Sequence, residues 1–384
     1  MDESEFERIS AFTLNKAFGF EPKISHELIS NLGSPGAVFR LGDKELDDLF
    51  GPYSKLRGRI DRRLWGETAA ELEDLRSSGF QTVAICDEDY PETLRDCPDA
   101  PAGLYIRSCT PARELFGRRT VSIVGTRDIS PYGSEWTVRI VSALASSTAA
   151  PTICSGLAIG VDITAHMAAL AEGLPTIAVL PCGITDVYPG RHRVCAGKIE
   201  KAPMSGLVTD FPPGTAPTQI TFLRRNRIIA GLAESTILVE SRVKGGGMLT
   251  ARLASGYGRN VYAVPGRLDD PCSAGCNCLI AAKTAESVND LQTFPEVLGL
   301  GSGKSVRKGG ADELERLCER KYGQGIHSRI AELVFRQRGI SPEEIARRLE
   351  LSVADCNSAL MILEADGLVN TDLVGRCSIN VKNI

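Results

Sequence analysis

The sequence predicts an α/β fold built on an open, mostly parallel β-sheet. Short apolar runs rich in β-branched residues recur along the middle of the chain, and amphipathic helical stretches separate them. Runs of this kind are typical of strands that helices cover on both faces of a sheet. The four clearest runs are Val121–Val124, Thr176–Leu180, Thr236–Val239 and Asn260–Val264. Because such sheets bind ligands at the carboxyl ends of their strands, the loops after these runs are the candidate site.

We divide the 384 residues into three folded regions and one linker. Residues 1–79 carry apolar side chains at intervals of three and four, which predicts a helical domain. Residues 80–298 carry the α/β pattern, and residues 299–310 have the glycine- and serine-rich composition of a linker. Residues 311–384 are predicted to form a small helical unit that ends in a hairpin, organised as a winged helix.

Two segments of the flanking regions leave alternatives open. The turn at residues 32–36, Leu-Gly-Ser-Pro-Gly, fits a helix-hairpin-helix that binds DNA phosphate, or an ordinary turn between packed helices. In the C-terminal unit, the second helix of the helix-turn-helix, residues 353–360, contains no lysine or arginine. Duplex recognition by this helix would lack its usual contacts, so a structural or protein-binding role is an equally good interpretation.

Charge and composition restrict the class of protein. The net charge of −4 excludes a chain that is basic as a whole, so a nucleic-acid site must be a local basic patch. The N-terminus is acidic, and no apolar stretch approaches the ~20 residues that span a bilayer. We therefore expect a cytoplasmic protein without membrane association. The 12 cysteines are scattered, and the group Cys272, Cys276 and Cys278 lacks the partners of a zinc site, so we expect free thiols and no metal.

Two glycine-containing loops follow the first predicted strands. Gly125-Thr126-Arg127 comes directly after Val124, where glycine allows close approach of a ligand and arginine can contact a phosphate. The second loop places Gly156 and Gly160 between a strand and a helix, an arrangement that can present backbone N–H groups to an anion.

The helix after the second loop carries an acid and a base. Asp162 and His166 are four residues apart and therefore share a helix face. A zinc or acid–base site would need further ligands or a nucleophile, and the neighbouring sequence offers none. We interpret them as a structural pair that caps the loop.

A basic run with an aromatic residue in front of it is the strongest local signal. Phe222 precedes three arginines in four positions, Arg224, Arg225 and Arg227, with Asn226 among them. An aromatic ring that stacks on a base, next to cations that bind phosphates, is how single strands are held without strong sequence preference. Since cations at a helix N-terminus oppose the helix dipole, we expect an anion to bind there.

A fourth loop places three glycines at the start of a helix. Gly246 and Gly247 open an anion-binding N-terminus, and Thr250 adds a hydroxyl donor. One nucleotide needs one or two such loops, whereas a strand of nucleic acid needs more.

Taken together, these motifs resemble those of the DNA-processing protein A (Smf) family. The resemblance runs through residues Val121–Arg127, Ser155–Ala171, Leu180–Pro189, Leu207–Pro213, Phe222–Glu240, Gly246–Pro265 and Gly275–Ile280. It implies an extended Rossmann-like domain flanked by an N-terminal helical (SAM-like) domain and a C-terminal winged helix. It also implies a homodimer that binds single-stranded DNA and passes incoming DNA to RecA during natural transformation, with no catalytic activity and no cofactor.

The resemblance also implies roles for individual residues. Arg127, Arg225, Asn226 and Arg227 would contact phosphate, and Phe222 would pack on a base. A helix at residues 275–280 would form the dimer contact through Cys276, Leu279 and Ile280. The complete predicted DNA-binding set is Gly125, Arg127, Gly156, Gly160, Arg191, Phe222, Arg224, Arg225, Asn226, Arg227, Gly246, Gly247 and Thr250.

Several positions depart from the family's usual pattern. Ile159 stands where relatives usually have arginine, Gly247 where they have serine or threonine, and Leu223 where they have proline. Gly190 replaces a frequent lysine, although Arg191 lies close enough to substitute for it. We expect these departures to affect affinity and the path of the strand.

Two other functions compete with single-strand binding. A Rossmann-like nucleotide phosphoribohydrolase would need a positioned carboxylate, for which Glu240 at a strand end is the candidate, but the glycine-rich motif of such enzymes does not surround it. A winged-helix regulator of duplex DNA is disfavoured by the uncharged second helix.

Overall fold

The computed structural model describes residues 2–19, 21–301, 311–337, 339–371 and 375–379. The chain forms two compact units, Met1–Gly303 and Lys304–Ile384. Within the described ranges, no helix is long and apolar enough to cross a membrane. All 12 cysteines are free of disulfide bonds.

The first unit begins with five helices. They are α1 (Glu3–Phe18), α2 (Pro22–Leu32), α3 (Ala37–Arg40), α4 (Asp43–Phe50) and α5 (Arg62–Ser77). Asp2 caps α1 by accepting from the Glu5 N–H at 2.7 Å, and Gly33 ends α2 in the left-handed conformation. The helical prediction for this region is confirmed.

The α/β part of the first unit follows. Its strands are β1 (Gln81–Ala84), β2 (Gly103–Arg107), β3 (Thr120–Val124), β4 (Thr152–Ser155), β5 (Thr176–Val179), β6 (Gly206–Thr209), β7 (Ser235–Leu238), β8 (Asn260–Ala263) and β9 (Glu286–Ser287). Its helices are α6 (Glu92–Arg95), α7 (Ala112–Leu115), α8 (Pro131–Ala145), α9 (Val161–Ala171), α10 (Arg193–Lys201), α11 (Gln219–Leu232), α12 (Gly246–Gly256), α13 (Ala274–Ala281) and α14 (Phe294–Val297).

These strands form one nine-stranded sheet in the order β1-β2-β6-β5-β4-β3-β7-β8-β9. Along the sheet from β6 to β9 every neighbouring pair is parallel, whereas β2 pairs antiparallel with both β1 and β6. The four predicted strands are confirmed as β3, β5, β7 and β8, and the mostly parallel sheet is confirmed with them. The other five strands, β1, β2, β4, β6 and β9, were not among the four clearest predicted runs.

Helices cover both faces of this sheet. Within β5, Ile177 and Val179 belong to one apolar core, which includes α11 and α12. The side chain between them, Ala178, belongs to the core on the opposite face. This alternation follows from the two-residue repeat of a strand, and it makes both faces apolar, as the continuous runs predict.

The N-terminal helices share that second core rather than forming one of their own. Phe12 of α1 packs edge-on against Tyr105 of β2, with ring centroids 4.9 Å apart. Gly103 of β2 leaves room for the Phe12 ring, because a Cβ there would lie 2.7 Å from it. The predicted domain boundary at residue 79 is therefore not a boundary between two cores, and the first unit includes both regions.

The first unit also extends into the predicted linker. Leu300 is buried, and its carbonyl accepts from the backbone N–H of Ala149 at 3.0 Å. The predicted start of the linker at residue 299 is thus too early, because these residues complete the core around α8. The rest of the predicted linker, residues 302–310, lies outside the described residues.

The described residues of the second unit form four helices and a two-stranded antiparallel sheet. They are α15 (Ala311–Tyr322), α16 (Ile326–Arg336), α17 (Pro342–Leu349), α18 (Val353–Ala365), β10 (Val369–Thr371) and β11 (Cys377–Ile379). Ser341 caps α17 by accepting from the Glu344 N–H at 3.3 Å, as the sequence predicts. The element order agrees with helices followed by a hairpin, and assignment as a winged helix stays a prediction.

Candidate nucleic-acid interface

A cavity of about 390 Å³ lies at the carboxyl ends of the central strands. The loops after β3, β4 and β7 surround it together with α11 and the start of α12. Eight residues of the predicted DNA-binding set line it: Gly125, Arg127, Phe222, Arg225, Asn226, Gly246, Gly247 and Thr250. The structure thus brings together loops that are more than 100 residues apart in the chain.

The order of the strands explains why the cavity is there. The chain proceeds from β3 to β4, β5 and β6 on one side, and then returns to place β7 on the other side of β3. The loops after β3 and β7 therefore diverge from adjacent strands and leave a crevice, which is where open α/β sheets bind ligands.

Two glycines allow the loops of this edge to touch each other. A Cβ on Gly125 would lie 2.5 Å from the Val161 side chain and 2.9 Å from the Glu240 carbonyl oxygen. A Cβ on Gly247 would lie 3.0 Å from the Gly125 Cα. Both glycines are thus required for packing of protein against protein, in addition to any close approach by a ligand.

Arg225 is a buried member of the cavity lining. Its residue exposure is only 3%, and its Nη1 donates to the Val179 carbonyl at 3.1 Å. Its Nε has no hydrogen-bond partner among the described residues. Gly156 makes room for this guanidinium, since a Cβ there would lie 1.3 Å from Nη1. Burial lowers the pKa of Arg225, and the nearby Asp162 carboxylate opposes that shift.

The arginine side chains of the basic run lie on different sides of α11. Arg227 is also buried, but its guanidinium forms an ion pair with Asp210 and a hydrogen bond to the Asp99 carbonyl, and it does not line the cavity. Arg224 is half-buried on another side of α11, where burial and the Arg227 charge lower its pKa to about 10. Successive helical residues are turned by about 100°, so three arginines in four positions cannot share one face.

The position of this run within its helix also differs from the prediction. Helix α11 begins at Gln219, and Thr218 caps it by accepting from the Thr221 N–H at 3.3 Å. The arginines are therefore in the second and third turns. The expectation that they oppose the dipole at a helix N-terminus was wrong, because the Thr218 cap starts the helix earlier.

An aromatic and cationic stack stands beside the cavity. The exposed Arg127 places its guanidinium carbon 4.6 Å from the centre of the Phe222 ring. Phe222 in turn contacts Tyr188, with centroids 5.4 Å apart and the rings inclined by 73°. Tyr188 belongs to the loop after β5 and was not among the predicted site residues.

The remaining predicted residues lie outside the cavity lining. Gly160 precedes α9 with φ +87°, and a Cβ there would lie 2.2 Å from the Thr126 carbonyl oxygen. Its role is thus to let two loops pack. Arg191 is exposed in a 3₁₀ turn after Pro189.

One cation of the cavity was not among the predicted site residues. Arg242, in the loop between β7 and α12, is exposed and lines it. Its position in the sequence could have indicated it, since Arg242 stands three residues before the glycine loop Gly245–Gly247 and four residues after the end of β7.

Two acidic residues at this edge have structural partners. Glu240 is fully buried, and its carboxylate accepts from the backbone N–H of Ser130 at 2.9 Å and from its hydroxyl at 2.6 Å. It therefore stabilises the start of α8 and does not line the cavity. Asp162 accepts from the Ala158 N–H at 3.4 Å, in agreement with its predicted role in the second loop. Burial raises the pKa of Asp162.

The predicted dimer residues divide between core and surface. Cys276 and Leu279 are buried in the core of the first unit with α12, whereas Ile280 is partly exposed. A buried side chain has no surface to offer a second copy, so the prediction was wrong for the side chains of Cys276 and Leu279. For Ile280 it stays a prediction.

His166 provides a pH-dependent contribution to stability. Its Nδ1 lies 2.7 Å from the Thr176 Oγ1, and burial, followed by the Arg225 charge, lowers its pKa to about 3. Below the ordinary pKa of 6.5 the unfolded chain therefore binds a proton that the folded chain does not. This group should lower the free energy of unfolding by about 1.4 kcal/mol per pH unit below 6.5.

Urea unfolding of the wild type and of His166→Asn at about pH 7.5 and 5.5 measures this contribution. Asparagine keeps a polar atom near the Nδ1 position but does not titrate. We expect the acid-induced loss of stability to be smaller in the variant by about 1.4 kcal/mol. An equal loss in both proteins would contradict the assignment.

Comparison with known proteins agrees with this architecture. The sequence model of the DNA recombination-mediator protein A family matches residues 81–299. A putative DNA processing protein DprA of Mycobacterium tuberculosis is 30% identical over 356 residues, which cover 89% of this chain and 86% of that protein. The DNA processing protein DprA of Streptococcus pneumoniae is 32% identical over 255 residues, which cover 65% and 87% of the two chains.

Solved structures of DprA superpose on this chain. The crystal structure from S. pneumoniae gives a TM-score of 0.60 at 28% identity, and covers 77% of this chain and 99% of that one. The structure from Helicobacter pylori, described for its single-stranded DNA binding mode, gives 0.51 at 29% identity and covers 57% and 95%. By its sequence, its nine-stranded sheet and its relatives, the chain belongs to the DNA recombination-mediator protein A family.

Proposed function

We propose that this protein binds single-stranded DNA at the carboxyl edge of its sheet, with backbone phosphate held in the cavity. The observation that carries this proposal is the buried guanidinium of Arg225, which lines the cavity with an unpartnered Nε. A buried guanidinium N–H without a hydrogen-bond partner is costly, and an anion of matching geometry would satisfy it. Arg127 and Arg242 add two exposed cations to the same lining.

The recessed position of Arg225 favours a single strand over a duplex. A phosphate must enter the cavity to reach this side chain, which requires a backbone that bends and bases that unstack. A single strand does both readily, and aromatic rings beside a cationic groove replace the lost stacking. Phe222 and Tyr188 provide such rings. The binding of single-stranded DNA by the H. pylori relative is consistent with this proposal.

We test binding by fluorescence anisotropy with a labelled oligo-dT and an unlabelled duplex of equal length as competitor. Oligo-dT should bind, affinity should fall with salt, and the duplex should compete weakly. Absence of oligo-dT binding, or equal competition by the duplex, would refute the proposal.

Substitutions at two glycines should distinguish an effect on DNA binding from an effect on folding. In Gly156→Ala the new methyl group collides with the flexible end of Arg225, so we expect the guanidinium to move, oligo-dT affinity to fall and folding to survive. In Gly160→Ala the methyl group collides with backbone at positive φ, and we expect destabilisation of at least about 1–3 kcal/mol. Thermal unfolding and anisotropy distinguish the two, and Gly58→Ala, where a Cβ meets nothing within 4 Å, is the control outside the proposed interface.

We further propose that the protein is a cytoplasmic homodimer that protects incoming DNA and passes it to RecA. Family membership supports this role. A pull-down with RecA, with and without single-stranded DNA, and light scattering of the purified protein test the two partners separately. Failure of RecA capture in both conditions would remove the RecA part of the proposal and leave DNA binding unaffected.

We propose that the protein acts by binding rather than by catalysis. The carboxylate that a phosphoribohydrolase would need, Glu240, is buried against Ser130 and outside the cavity lining. Incubation with mixed nucleotides should give no product, and turnover would favour the enzyme instead.

A further inference from the structure

We propose that Tyr188 is the base-stacking side chain of this interface, and that one base of the bound strand lies against its exposed ring. This inference rests on the proposed binding of single-stranded DNA. It assigns Phe222 a supporting role, in which it holds Tyr188 and Arg127 in place beside the cavity.

The contacts of Phe222 argue against it as the main platform. The Arg127 guanidinium lies over the Phe222 ring at 4.6 Å, so it already covers one face of that ring. Tyr188 contacts the Phe222 ring as well, and Phe222 is only partly exposed. A base could reach the covered face of Phe222 only by displacing Arg127 and losing the cation–π contact.

Tyr188, in contrast, presents a ring to solvent. The residue is 42% exposed, so a base can reach its ring from solvent. The edge-to-face contact with Phe222 restrains the ring without enclosing it. Among the described residues, no hydrogen bond engages its hydroxyl group.

The loop that carries Tyr188 is held firmly on both sides. Before it, Val187 packs into the core beneath the N-terminal helices, and the Gly183 N–H donates to the Thr215 carbonyl at 3.0 Å. After it, the His192 Nδ1 contacts the Leu157 carbonyl at 2.8 Å. A ring on such a loop is preorganised, so stacking on it costs little conformational entropy.

The surroundings of Tyr188 suit a nucleic-acid strand that leaves the cavity. Contacts run from Arg127 in the cavity lining through Phe222 to Tyr188. The exposed Arg191 and Arg193 follow within five residues of the chain. Phosphate in the cavity, a base on Tyr188 and the next phosphate near Arg191 form a continuous track of the kind that single-strand binders use.

The test compares oligo-dT with an abasic deoxyribose-phosphate strand of equal length. In the wild type, the bases should increase affinity. Tyr188→Ala should weaken oligo-dT binding about 5- to 150-fold, the range for loss of one stacked base, and leave abasic binding nearly unchanged. The salt dependence should stay the same, because Tyr188 carries no charge. Tyr188→Phe should retain binding, since it keeps the aromatic face.

If Tyr188→Ala folds poorly, Tyr188→Leu takes its place, because leucine keeps the apolar packing against Phe222 but has no aromatic face. Tyr188→Leu should show the same loss of oligo-dT affinity. Tyr53→Ala, at a residue that is 98% exposed, is the matched control and should not alter binding. If the wild type does not bind oligo-dT, the proposed function fails. If the wild type binds and Tyr188→Leu keeps the full preference for bases, the inference is overturned, and loss of that preference in Phe222→Leu would then assign the platform to Phe222.

Discussion

Arg227→Ala is expected to lower the free energy of unfolding by about 3–5 kcal/mol, because it leaves a buried carboxylate without its cation. The side chains of Arg227 and Asp210 are 5% and 2% exposed. The backbone carbonyl of Asp210 also accepts a hydrogen bond from the Asn15 side chain at 2.5 Å. The ion pair of Arg227 and Asp210 therefore joins the N-terminal helix α1 to the sheet and to α11. Loss of the cation should therefore weaken the whole first unit.

Urea unfolding followed by circular dichroism measures this effect. The double variant Arg227→Met/Asp210→Leu removes both charges and should recover much of the lost stability, since apolar side chains can replace a buried pair. Arg113→Ala, at an exposed arginine, should have little effect. Similar unfolding curves for Arg227→Ala and the wild type would show that the pair does not stabilise the fold.

The double variant Arg127→Ala/Arg242→Ala should bind oligo-dT about 25-fold more weakly at about 0.1 M salt. Each single-strand phosphate neutralised contributes about −0.7 to the slope of log affinity against log salt concentration. Two lost contacts should therefore make this slope less negative by about 1.4. Both side chains are exposed in the cavity lining, so folding should be preserved.

Anisotropy titrations over a series of salt concentrations provide both quantities. Arg113→Ala is again the control, because it removes one exposed arginine outside the cavity lining. The two single variants should each change the slope by about half as much. A slope that stays at the wild-type value in the double variant would mean that these arginines do not contact phosphate.

The local sequence determined the sheet of this protein and the edge at which its loops meet. The continuous apolar runs at β3, β5, β7 and β8 require burial on both faces, and that requirement alone predicts a parallel sheet with helices around it. The loops after these strands then had to meet at one edge, because parallel strands end there together. For this reason eight predicted residues line one cavity.

Only the tertiary structure decided where each arginine of α11 points. The run from Arg224 to Arg227 looks like one basic patch in the sequence, yet Arg225 enters the cavity lining and Arg227 pairs with Asp210 in the core. That outcome depends on Asp210 and on the missing side chain of Gly156, both remote in the sequence. Tyr188 and Arg242 also lie at the site because segments that are distant in the sequence pack together there. The sequence by itself determined the sheet and the loops at its carboxyl edge, whereas contacts between distant segments decided which side chains that edge presents.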